Sequence, residues 1–139
     1  MAIHRIILIS LLCVFLAACS SSAKLTKETQ DANSWIASAQ IVAKSYADGA
    51  VPKAYATDAL ENFNQQLQAI AKRVQSISDP RSSHIAASLQ RAQKAVAQIA
   101  MSIQQDDHLS LARFALQLEN EQKQLITLLN PESDSAPQP

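Results

Sequence analysis

The chain is predicted to be all-α: an antiparallel, up-down-up-down four-helix bundle preceded by a short N-terminal segment outside the fold. Three observations carry this. A single glycine in 139 residues, with abundant Ala, Gln, Leu and Ile, leaves a composition of strong helix formers. Apolar residues recur at alternating spacings of three and four, the period of a helix with one buried stripe. Breaks fall at Asp48-Gly49 through Pro52, at Asp79-Pro80 and at Asp106-Asp107. They mark off helices of about 22 to 27 residues, roughly 35 to 40 Å each. Similar lengths and tight connections are what antiparallel neighbours in a bundle require.

The first helix starts at Leu25, with Ala32, Trp35, Ile36, Ala39, Val42, Ala43 and Tyr46 along one stripe. Gly49 supplies the left-handed residue that commonly ends a helix, and Val51-Pro52 forces an extended step before the next one. The second helix runs from Pro52 to Ser78 on the seam Leu60, Phe63, Leu67, Ile70, Val74 and Ile77. Asp79 is the expected N-cap of the third helix, with Pro80 as its first residue and Ile85, Leu89, Ala92, Val96, Ile99 and Ile103 as its seam. Asp106 and Asp107 resemble cap residues before the pattern Leu111, Phe114, Leu118, Leu125 and Leu128, which Asn130-Pro131 stops. No Gly or Pro breaks the chain at Asp106, so three long helices, the last two merged, is the alternative architecture. Residues 131–139, rich in Pro and Ser, read as a disordered tail.

The N-terminus has a different character. His4-Arg5 forms a short positive region, Ile6 to Leu16 is apolar except for Ser10, and Ala17 and Ala18 follow, the layout of a secretory signal peptide. The run is too short to span a bilayer, which takes about 20 apolar residues. Leu16-Ala17-Ala18-Cys19 resembles the lipobox of bacterial lipoproteins. The resemblance covers the first 20 or so residues and implies cleavage before Cys19, with lipidation of Cys19 and acylation of the new N-terminus. The mature domain itself resembles no specific family. On this reading residues 1–18 are signal peptide, 19–24 a lipidated polar tether, 25–130 the bundle and 131–139 the tail. Ser20 follows the cysteine in place of the Asp that resembles an inner-membrane retention signal. The expected location is therefore the periplasmic face of the outer membrane, with the outer leaflet of the inner membrane as the alternative.

Composition excludes several function classes. The only cysteines are Cys13 and Cys19, so a mature chain would have neither a free thiol nor a disulfide. Losing Arg5 leaves eleven Lys and Arg against twelve Asp and Glu, and the basic residues are scattered, so nucleic acid is not an expected partner. His84 and His108 fall in the first turns of the third and fourth helices, at opposite ends of the bundle, and no Glu-x-x-His or His-x-x-x-His motif accompanies them. Neither metal nor cofactor is expected. Asp106 and Asp107 are adjacent, which suits capping better than acid–base chemistry on one substrate atom. No phosphate-cradling loop or Gly-x-Ser-x-Gly elbow can be built with one glycine. A non-catalytic chain is expected.

Glu121 falls on the seam of the fourth helix, and the seam is expected to pass to Gln122 there rather than admit a polar layer. Trp35, Tyr46 and Tyr55 are the candidate partner patch, Tyr46 and Tyr55 flanking the first corner; the competing reading is that they seal the bundle end. Two function classes remain: a membrane-anchored protein that acts by contact with an envelope protein, or a carrier of a small apolar ligand in the bundle core. The large aliphatic residues along every seam favour the first.

Overall fold

In the computed structural model residues 2–130 are described, with side chains for residues 20–130. Cys19 and the tail 131–139 therefore lie outside the described side chains. Four helices follow in chain order: α1 (Ala2–Ala47), α2 (Lys53–Gln75), α3 (Ser82–Gln104) and α4 (His108–Leu129). Each packs on the next and α4 returns to α1, giving the expected four-helix bundle rather than three long helices. Of the two diagonals α1–α3 is the closer. Ala32 and Ala39 on α1, and Ala92 and Ala95 on α3, are fully buried and small enough to let that diagonal close.

The core follows the predicted seams closely. Leu60, Leu67, Ile70 and Val74 of α2, and Ile85, Leu89, Val96, Ile99 and Ile103 of α3, are buried, as are Leu111, Leu118 and Leu125 of α4. On α1 the buried stripe is Leu25, Thr29, Ala32, Ile36, Ala39 and Ala43. Thr29 is tolerated at the core because its hydroxyl donates to the Leu25 carbonyl at 2.8 Å, so no polar atom is orphaned. Trp35 and Tyr46 lie beside this stripe, partly buried.

The element ends differ from expectation at three points. Residues 20–24, expected as a tether, continue α1, and the Arg81 guanidinium donates to Ser22 Oγ at 3.0 Å. That stretch has no Gly or Pro to break a helix, and its contact with the α2–α3 turn holds it in place. α2 begins at Lys53 with Pro52 as its extended N-cap residue and ends at Gln75, three residues early. Asp79 does not cap α3. Its Oδ1 accepts the Arg81 backbone N–H at 2.9 Å, closing a local turn around Pro80, and α3 starts at Ser82.

Two helix ends share one device. At α1 the Ala50 N–H reaches the Ser45 carbonyl at 2.8 Å and the Gly49 N–H reaches Tyr46 at 2.9 Å, a Schellman motif with Gly49 at φ 72°. At α3 the Asp107 N–H reaches Ser102 at 2.9 Å and the Asp106 N–H reaches Ile103 at 3.2 Å, with Asp106 at φ 55° where a glycine would be expected. Asp107 then caps α4, accepting the Ser110 N–H on Oδ1 at 3.0 Å.

A Gly49→Ala chain is expected to lose about 1 kcal/mol of stability in denaturant titration, the cost of a Cβ in the left-handed region. The loss is purely conformational, since nothing lies within 4 Å of the added Cβ. Acid should also destabilise the protein in a defined window. Arg81 beside Asp79, Lys53 beside Asp106 and the Ser110 bond to Asp107 each hold the carboxyl below its ordinary value of 3.8. A depressed folded value means the stabilisation is complete above the unfolded pKa and vanishes as pH falls through the folded one. The melting temperature should stay level down to about pH 5 and drop below about pH 4, whereas uncoupled carboxyls would give no such drop.

Candidate functional site

Three places on the described surface collect side chains that could act: the bundle end built around Asp106, a polar layer between α3 and α4, and an apolar groove between α1 and α4. The first is made by the left-handed Asp106, whose side chain projects back over the ends of α1 and α2. Its Oδ1 accepts the Tyr46 hydroxyl at 2.8 Å and its Oδ2 accepts Lys53 Nζ at 2.5 Å, while Lys53 also reaches the Gln104 carbonyl at 3.3 Å. The ring of His108 stacks on Tyr46 with centroids 6.2 Å apart. The carboxylate raises the pKa of both Tyr46 and Lys53 through these hydrogen bonds. Both groups thus stay protonated as donors at neutral pH.

This geometry separates the three aromatic residues of the candidate patch. Trp35 packs against Phe63 of α2, centroids 5.6 Å apart, at the edge of the core. Tyr46 is committed to Asp106 and His108. Tyr55, in the first turn of α2, is exposed. Trp35 and Tyr46 lie eleven residues apart on one helix, roughly 16 Å, so the three do not converge on one surface. The histidines are equally separate: His84 opens α3 at one end of the bundle and His108 opens α4 at the other. Among the described residues no group of three or more His, Cys, Asp or Glu could hold a metal ion.

Glu121 is a correction. The seam does not slip to Gln122; Glu121 is buried and accepts Ser88 Oγ and Arg91 Nε, each at 2.9 Å. Ser88 is the reason it fits. A hydroxyl at this buried α3 position leaves room for the carboxylate and satisfies one oxygen, and the half-exposed Arg91 neutralises the other while also reaching Gln124 at 3.0 Å. Beside this layer an open groove of about 410 Å³ is lined by His84, Arg91, Lys123, Gln124 and Leu128.

The third place was not legible as a site in the sequence. Between the C-terminal half of α1 and the start of α4 a groove of about 180 Å³ is floored by Ala43, Ala47, Leu111, Ala112 and Ala115. Gln40, Lys44 and His108 also line it, and the buried Gln40 Nε2 has no hydrogen-bond partner. The same two helices carry large apolar side chains on their solvent faces, outside the groove lining: Ile41 is 65% exposed, Leu116 59% and Leu109 86%. Leu109, Ala112 and Leu116 are spaced i, i+3, i+7, forming one outward stripe of α4. The signal for it was present, because α4 carries leucines on two faces, but only the face that matches the other seams reads as structure.

Comparison with known protein families, with characterised proteins and with solved structures finds no match to this chain. Among the described side chains no helix is long and apolar enough to cross a membrane.

The Glu121 layer yields a test of stability. Arg91→Ala leaves a buried carboxylate without its cation and should destabilise by about 2 to 3 kcal/mol, whereas Glu121→Leu, which removes the charge and fills the seam, should be neutral or stabilising. Chemical denaturation of the two single variants and the double variant measures the coupling. Equal, additive losses would mean the pair is not coupled.

Proposed function

We propose that this chain is a lipoprotein, anchored through Cys19 to the periplasmic face of the outer membrane, whose bundle acts without catalysis by binding a protein partner in the envelope. The lipobox-like Leu16-Ala17-Ala18-Cys19 supports the anchor. The observation that carries the partner is the α1–α4 groove, together with the exposed apolar side chains Ile41, Leu109 and Leu116 on the same two helices. An apolar groove of small residues and exposed large apolar side chains on the helices that form it are features an amphipathic helix recognises. Carriage of an apolar ligand draws less support, since Leu25, Ile36, Leu60, Leu67, Leu89, Ile99, Leu118 and Leu125 fill the bundle axis at zero exposure.

A photo-crosslinking residue placed at Leu116 or Ile41 in the native envelope is expected to trap one reproducible protein, with Gln68 on the exposed face of α2 as the control position. Leu116→Arg should abolish the adduct while leaving the melting temperature nearly unchanged, as surface substitutions shift stability by only about 0.5 kcal/mol. Cys19→Ala should release the chain from the membrane fraction. Co-purified lipid with no crosslinked protein would reverse the choice in favour of a carrier.

A further inference from the structure

The Arg81–Ser22 hydrogen bond fixes the level of the N-terminal stretch against the rest of the bundle, placing Ser22 beside the α2–α3 turn. Ser22 is three residue steps from Cys19. They span about 4.5 Å if helical and no more than roughly 11 Å if fully extended. A lipid on Cys19 would therefore hold this end of the bundle against the headgroups, with no stand-off. The end that comes so close is basic. Lys24 and Lys27 of α1, Lys72 and Arg73 of the last turn of α2, and Arg81 of the following turn cluster here. Two of its carboxylates are engaged, Glu28 with Arg73 at 2.9 Å and Asp79 with Arg81 at 3.0 Å, and Asp31 lies one turn further from the end than Lys27. Lys24, Lys27 and Lys72 are exposed and have no ion-pair partner among the described residues. The far end has the opposite character, with Asp48, Asp58, Glu61, Asp106 and Asp107 against Lys44, Lys53 and Arg113.

We infer that the α2–α3 end is a docking face for anionic lipid headgroups, on which Lys24, Lys27 and Lys72 seat the bundle upright. The inference rests on the lipid anchor proposed above and adds to it an orientation. An anionic surface attracts each nearby Lys or Arg and loses its hold beyond a Debye length, so only the basic end is drawn to it. Glu132 and Asp134 follow α4 in sequence, beyond the described residues, and the test separates any effect of theirs from that of lipid.

The full chain, purified from membranes and reconstituted into vesicles, is treated briefly with an amine-acylating reagent, and each lysine is quantified by mass spectrometry. One set of vesicles is pure phosphatidylcholine and the other has about one phosphatidylglycerol in three, a surface charge of the kind that attracts basic segments. Lys24, Lys27 and Lys72 are expected to react about threefold more slowly on the anionic vesicles, with Lys44 and Lys94 unchanged, and the difference should disappear in about 1 M salt while the protein still floats with the vesicles. Equal labelling on both surfaces, from tail shielding or from a bundle lying on its side, overturns the docking face and leaves the anchor standing. Failure of the chain to float with either vesicle overturns both.

Discussion

Every feature of this protein depends on four apolar seams that can be buried only together. No cysteine follows Cys19, so the bundle has no disulfide to hold it, and its one glycine is used at a helix end rather than in a loop. Packing must therefore provide nearly all of the stability. A single buried leucine of the Leu60, Leu67, Leu89 or Leu118 type is worth about 2 to 5 kcal/mol against alanine, a large share of the roughly 5 to 15 kcal/mol that small domains possess. The exposed ion pairs Lys44–Asp48 and Lys123–Glu119 contribute at most about 1 kcal/mol each and cannot substitute for that core.

Burying seams leaves the two ends of the bundle to be closed by polar chemistry, and each end uses one residue that bonds across elements. At one end Asp106 accepts a left-handed backbone and in exchange receives Tyr46 from α1 and Lys53 from α2. At the other, Arg81 fastens Asp79 within its own turn and reaches Ser22 on α1. Between them Glu121 with Ser88 and Arg91 sets the register of α4 on α3, since sliding one helix by a turn would leave the carboxylate buried without a cation.

Much of this was legible in the sequence, because a helical period together with Gly and Pro punctuation specifies where helices lie and which face they bury. Gly49 and Asp107 did what their residue types predict. The misread positions have a common physical cause: a residue's role was decided by a neighbour distant in sequence. Asp79 is the exception, a local one: it looks like a cap until Arg81, two residues on, claims it. Glu121 looks like a break in the seam until Ser88 is found opposite. Residues 20–24 look like a tether until Arg81 holds Ser22. Trp35, Tyr46 and Tyr55 share the first hairpin in sequence, but helix geometry keeps Trp35 and Tyr46 about 16 Å apart, and the exposed apolar stripe of α4 escapes a seam-based reading because Leu109 and Leu116 point away from the seam formed by Leu111 and Leu118.

The bundle is also polar along its axis, and this ties the two proposals together. Gln40 lies eighteen residues beyond Ser22 on α1, about 27 Å up the helix at 1.5 Å per residue. The groove it lines is thus at the half of the molecule remote from the basic end, and Leu109 and Leu116 belong to the first half of α4, which starts at that end. A domain seated on headgroups by Lys24, Lys27 and Lys72 would hold this apolar face well clear of the surface, beyond the roughly 8 Å reach of charge interactions at physiological salt. A domain free to tip would instead offer Ile41, Leu109 and Leu116 to the acyl chains, where they would bury at little cost and be lost to a protein partner. Were both proposals to hold, basic residues at one end and exposed apolar residues toward the other would solve a single problem, keeping a hydrophobic recognition surface available beside a membrane that would otherwise compete for it.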